Sequence, residues 1–137
     1  MNVLVDTNVI LDAMMPRDPF SEAAQEIFIL AAKDKVAAYI TANCVTDIYY
    51  LLHKHLHSAT AARDALSKLF RIFKILDLTA ADCEDSLLLA ISDYEDALLI
   101  ACATRCKIEC IITRNLKDFT GSIVPVQSPD DFLKSMQ

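Results

Sequence analysis

The chain has 137 residues, 54% of them hydrophobic, and carries 13 Lys and Arg against 19 Asp and Glu for a net charge of −6. That length suits one compact domain, residues 1–137, burying roughly two-thirds of its unfolded surface. The acidic balance excludes non-specific coating of nucleic acid, which needs clustered basic residues to displace counterions, although a local basic rim can still guide a phosphate chain.

Val3-Leu4-Val5 is a short apolar run that reads as a buried central strand, followed by Asp6-Thr7-Asn8, a polar turn able to cap a helix beginning near Val9. Ser21 to Lys33 carries Ala24, Ile27, Phe28 and Ala31 at helical spacing. Val36 to Ile40 reads as a second strand, and Thr41 to Leu56 as a helix with Asp47 on its first turns. Ala59 to Phe70 is another amphipathic helix, Phe73 to Leu78 a third strand, and Thr79 to Ile91 a further helix. Ser92-Asp93-Tyr94-Glu95-Asp96 opens a strongly apolar helix, with Asp96 in its first turn. Glu109 to Thr113 is the fourth strand, Arg114 to Phe119 a turn or short helix, Ile123 to Val126 a fifth strand, and Pro129 to Met136 the closing helix. Strands alternating with helices predict an α/β fold, a central parallel sheet of about five strands flanked by helices with right-handed crossovers.

Asp6, Asp47, Asp96 and Asp118 each stand at or just beyond a change from strand-like to helix-like pattern. In a parallel α/β sheet such positions converge at the carboxyl edge, and carboxylates crowded together call for a divalent cation such as magnesium or manganese. The expectation is a metal-dependent enzyme acting on phosphate esters. Each acid also has an ordinary explanation. Asp96 and Asp118 lie three residues after Asp93 and Asn115, the spacing of a helix cap with an acid in the first turn, and Asp47 alone would be an exposed helix acid. Asp6, directly after a buried strand, is desolvated and needs a proton, a cation or several donors.

Val3-Leu4-Val5-Asp6-Thr7-Asn8-Val9-Ile10-Leu11 resembles the opening of a PIN domain, the nuclease family that includes the VapC-like toxins of toxin-antitoxin pairs. Asp93 to Ala101 resembles the central motif of that family and Ile111 to Phe119 its closing one. The resemblance implies hydrolysis of RNA phosphodiester bonds with Mg2+ or Mn2+ held by Asp6, Asp47, Asp96 and Asp118. It implies orienting roles for Asn8, Thr113 and Asn115 beside the acids, for which turn capping is the other reading. Arg114 and Lys117 are candidates to hold substrate phosphates, or simply solubilising residues. Asp47 stands where the family more often has glutamate, which implies reach through water, and Asn115 where many members have an acid. A homodimer and a small antitoxin partner complete what the resemblance implies, while reduced thiols and the lack of a signal-peptide pattern point to a cytoplasmic location.

Other signals compete. His53 and His57 are four apart and could share a helix face and bind a metal, but a solvated, partly positive helix end is the better explanation. Cys102 and Cys106 read as core packing or an interface, and five cysteines without a Cys-x-x-Cys pair speak against a disulfide framework. Uncharged runs such as Val36 to Thr46 are shorter than the ~20 residues a bilayer requires, and the first residues lack the basic segment of a signal peptide. A haloacid-dehalogenase-like phosphatase needs an acid two residues after the first aspartate, where this chain has Asn8. A PIN-like interaction module with weak catalysis is the non-enzymatic alternative.

Overall fold

The computed structural model describes all residues, Met1–Gln137. Its centre is a five-stranded parallel sheet in the order β3-β2-β1-β4-β5, built from β1 (Asn2–Val5), β2 (Ala37–Thr41), β3 (Lys74–Leu76), β4 (Cys110–Ile112) and β5 (Val126–Gln127). Around it run α1 (Thr7–Met14), α2 (Ser21–Ala32), α3 (Cys44–Leu56), α4 (Ala59–Ile72), α5 (Ala80–Ser86), α6 (Tyr94–Arg105) and α7 (Pro129–Ser135), with a 3-10 turn at Leu116–Phe119. The expected α/β class, strand count and parallel sense all hold.

Alternation along the central strand distributes the core. Successive side chains of a strand point to opposite faces, so Val3 and Val5 join Cys110 and Ile112 in the larger core, beneath α1, α2, α3, α4 and α7. Leu4 and Ile111 turn the other way and pack with Leu99, Ile100 and Ala103 of α6. A strand buried on both faces needs no polar alternation, which is why three consecutive apolar residues suffice for β1.

Several boundaries move. The first helix begins at Thr7, two residues earlier than expected, because Asp6 itself is its cap and accepts the Thr7 N–H at 2.8 Å. The third helix begins at Cys44 because Thr41 still pairs in β2, opposite Leu76. The larger correction concerns Thr79 to Ile91, where only Ala80–Ser86 is helical. Thr79 and Asp82 form a reciprocal capping box that fixes the start. Past Ser86 the chain turns so that Leu89 and Ile91 pack against the second core while Leu87 and Leu88 are left 75% and 85% exposed.

The order β3-β2-β1-β4-β5 reverses direction between β1 and β4. Crevices outside the carboxyl ends of strands open at such a switch point. Asp6 leaves the end of β1 there, and Thr113 leaves the end of β4 beside it, since Val5 pairs with Ile112 and the Asp6 N–H donates to the Ile112 carbonyl at 2.9 Å.

Candidate functional site

The Asp6 carboxylate is held by three donors. One carboxylate oxygen takes the Thr7 N–H; the other takes the Thr113 hydroxyl at 2.8 Å and the Asn8 amide at 3.2 Å. The Asn8 amide also reaches Thr113 Oγ1 at 3.4 Å, and the Asn115 N–H donates to that same oxygen at 3.1 Å. Thr113 is fully buried, so its hydroxyl has one orientation that satisfies it. These bonds leave Asn8 a donor to the acid, with no capacity to serve as a proton-transferring acid two residues after Asp6; the dehalogenase-like alternative has no support in this geometry.

A cleft of about 370 Å³ opens over Asp6, lined also by Asn43, Cys44 and Asp47 of the β2–α3 region and by Glu95 and Asp96 from the first turn of α6. Asp47 is exposed, and Asp96 is half-buried on a helix start capped by Asp93, whose carboxylate accepts the Asp96 N–H at 3.0 Å. Three of the four expected acids therefore face one space. Asp118 does not line it; it is exposed on the 3-10 turn, close enough that its charge raises the pKa of both Asp6 and Asp96. Glu95 and Asn43 were not singled out in the sequence, where Glu95 is one of three acids in four residues with nothing to separate it from a solvated helix start.

Electrostatics make the two inner acids unequal. Burial pushes Asp6 above the ordinary carboxylate range, while the Thr113 hydroxyl, the Thr7 N–H and the Arg114 charge pull it back. Asp96 has no such donors to its carboxylate. Burial first, then the charges of Asp93, Asp6, Asp118 and Glu95, push it up to about 7.

That shift has a direction in stability. Between 3.8 and about 7 the unfolded chain has released the Asp96 proton while the folded chain keeps it, so stability contributed by this group falls as pH rises through that window. Asp96→Asn is expected to raise the stability of the metal-free protein at pH 8 by about 1–2 kcal/mol, after discounting for solvent screening, and to leave it unchanged near pH 4. Urea midpoints at the two pH values measure it; equal midpoints at pH 8 contradict the assignment.

The remaining candidates are placed differently. Arg114 does not reach out to solvent as a free phosphate clamp. Its guanidinium grips Asp12 at 2.6 and 3.2 Å and stacks 4.0 Å over the Phe20 ring. Asp12, only 1% exposed, also binds Arg17 at 2.8 Å. Lys117 is exposed and makes no ion pair, and the Asn115 side chain is exposed and bonds to nothing. His53, His55 and His57 are all exposed at the end of α3, with His57 in the left-handed capping conformation at φ 54°. Cys102 is buried in the core, and all five cysteines are free.

As placed, no three acidic, histidine or cysteine side chains converge tightly enough to ligate one ion directly. A hydrated magnesium-like cation does not demand that, since it bonds one or two carboxylates and keeps several waters. An all-oxygen donor set facing one cleft, with Asp96 burdened by its neighbours' charge, fits such an ion.

Comparison with known proteins bears on the family and the fold. The model of the PIN domain matches residues 2–117. Among solved structures, a toxin-antitoxin complex from Klebsiella pneumoniae aligns at 26% identity and a TM-score of 0.67 over 93% of this chain and 97% of that one. VapBC2 from Rickettsia felis, bound to a promoter DNA fragment, gives 18% identity and 0.67 over 93% and 98%. Mycobacterium tuberculosis VapC20, a toxin that cleaves the sarcin-ricin loop, gives 19% and 0.61 over 80% and 86%. No curated protein matches the sequence. No helix is long and apolar enough to cross a membrane. With the motifs around Asp6, Asp96 and Thr113 gathered at the switch point of the sheet, and the family model spanning most of its length, the chain belongs to the PIN-domain family.

Proposed function

We propose that this protein is a divalent-metal-dependent endoribonuclease, the toxin of a toxin-antitoxin pair, acting in the cytoplasm as a homodimer. The observation that carries the reading is the convergence of Asp6, Asp47 and Asp96 on one cleft, with Asp6 fixed by Thr113 and Asn8 and Asp96 pushed up to about 7. The Klebsiella pneumoniae and Rickettsia felis neighbours are toxin-antitoxin assemblies, which supports an antitoxin partner, and VapC20 cleaves an RNA loop, which supports RNA as substrate.

Asp6, Asp47 and Asp96 would hold Mg2+ or Mn2+, with Asp118 adding negative potential from outside the cleft. The ion, when bound, polarises a phosphoryl oxygen and lowers the pKa of a bound water. Thr113 and Asn8 keep the Asp6 carboxylate aimed, as residues behind a metal ligand do. Asp96, which burial and its neighbours' charge keep partly protonated near neutral pH without a cation, would give up that proton to serve as a ligand once a cation offsets those charges. Glu95 faces the same cleft and can accept a hydrogen bond from water there. Lys117, exposed, unpaired and beside Asp118, is the basic residue we assign to meet a substrate phosphate.

Incubating the protein with structured and unstructured RNA, with Mn2+, Mg2+ or EDTA, tests the reading. Cleavage with either ion and none in EDTA is the expected outcome. Absence of cleavage, together with no calorimetric binding of either ion up to millimolar concentration, overturns it and leaves an interaction module.

A further inference from the structure

The guanidinium that fails as a phosphate clamp forms the wall of a second cavity. This cavity, about 250 Å³, lies between the starts of α2 and α7 and is lined by Pro19, Phe20, Ala23, Arg114, Ser128 and Asp130 among others. The Nε–Nη2 edge of Arg114 is occupied by Asp12 and its guanidinium lies over the Phe20 ring, so the two line the cavity as one planar stack, with Phe20 42% exposed. Because Asp12 pins the guanidinium, a ligand stacking there meets a preorganised surface and immobilises little. Arg114 also stands beside the residues that hold the acidic cleft: its backbone N–H donates to Asn8 Oδ1 at 3.4 Å, and Asn8 in turn donates to Asp6.

We infer that this cavity is a nucleobase subsite that receives a guanine of the RNA next to the acidic cleft. The inference rests on the ribonuclease reading for the presence of RNA and adds to it the base that is recognised. Stacking on aromatic rings and arginine planes is how proteins hold unpaired bases. Geometry favours a base over a phosphate: the Nε and Nη2 donors of Arg114 are turned to Asp12, and the exposed Asp130 carboxylate on the cavity wall repels a phosphate. The same carboxylate accepts from a base edge that presents adjacent N–H donors. Guanine, with N1–H beside its amino group, offers two; uracil offers one.

Titration with the neutral nucleosides guanosine and uridine, without divalent ions and followed by amide NMR, tests the subsite separately from catalysis. Guanosine is expected to shift the Phe20, Ala23 and Asp130 resonances and to bind more tightly than uridine. Phe20→Leu, which keeps an apolar packing group, is expected to weaken guanosine on the order of tenfold, and the surface change Asp130→Asn to erase the preference over uridine. No shift at these residues from millimolar guanosine overturns the inference, as does a response to N-acetyl-arginine amide instead, which would assign the cavity to a peptide. If RNA is never cleaved while guanosine binds, the ribonuclease reading fails and the subsite stands. If RNA is cleaved and cut-site preference is the same in Phe20→Leu, the subsite alone fails.

Discussion

Asp6→Asn is expected to lose RNA cleavage by on the order of a thousandfold or more while remaining folded. Polarisation of a phosphoryl oxygen by a bound cation is worth several kcal/mol, and each 1.36 kcal/mol is a factor of ten in rate. Asparagine removes the charge that would hold the ion yet keeps an oxygen for the Thr7 N–H, and it caps helices as well as aspartate does. Burial already penalises the charged form of Asp6, which offsets part of what the fold loses when the Thr113 hydroxyl and the Asn8 amide lose their acceptor. Cleavage rates in saturating Mn2+, beside circular dichroism melting curves, separate the two effects. Asp96→Asn is expected to behave alike in activity. Wild-type rates in both variants would refute the assignment; a lost melting transition in Asp6→Asn would show that the acid is structural.

Legibility in the sequence followed the range of the interaction. Val3-Leu4-Val5 announces a strand buried on both faces because burial is written in consecutive residues. The meeting of Asp6 and Thr113 was accessible through motif resemblance, since pairing of β1 with β4 brings the two strand ends together whatever lies between. Asp12 was invisible. On a helix it looks like any surface acid, and its partners are 5 and 102 residues away, so no local pattern marks it as the anchor of Arg114. The segment after Ser86 misled for the opposite reason: its leucines have helix propensity, but Leu89 and Ile91 reach the second core from a non-helical turn that leaves Leu87 and Leu88 in solvent, a tertiary fact. Asn115 shows the same limit. Its spacing to Asp118 suits a cap, but in a single 3-10 turn the contact is made by its carbonyl, which accepts the Asp118 N–H at 3.0 Å, and not by its side chain.

The buried carboxylate of Asp12 sets up the second large effect. Its two arginine partners keep 39% (Arg17) and 27% (Arg114) of their side chains exposed, whereas Asp12 keeps 1%, so solvent can rescue the arginines but not the acid. Arg114→Ala removes two of the three hydrogen bonds that Asp12 accepts from these guanidiniums, together with the stack on Phe20. Leaving a buried charge under-paired costs about 3 kcal/mol. Arg17→Ala removes one bond to Asp12 and one to the Asn8 carbonyl from a more exposed side chain, and about 1 kcal/mol is expected. The double variant should exceed the sum of the two, because only then is Asp12 wholly unpartnered and the sites share one acceptor. Urea unfolding of the four proteins measures the cycle. Equal losses from the single variants, or strict additivity in the double, would mean that water reaches Asp12 and that the ion pair is ornamental. A large Arg114 effect also has a consequence for chemistry, since its backbone follows Thr113 and its N–H bonds Asn8: the salt bridge that steadies α1 against β4 is the same one that keeps the two donors on Asp6.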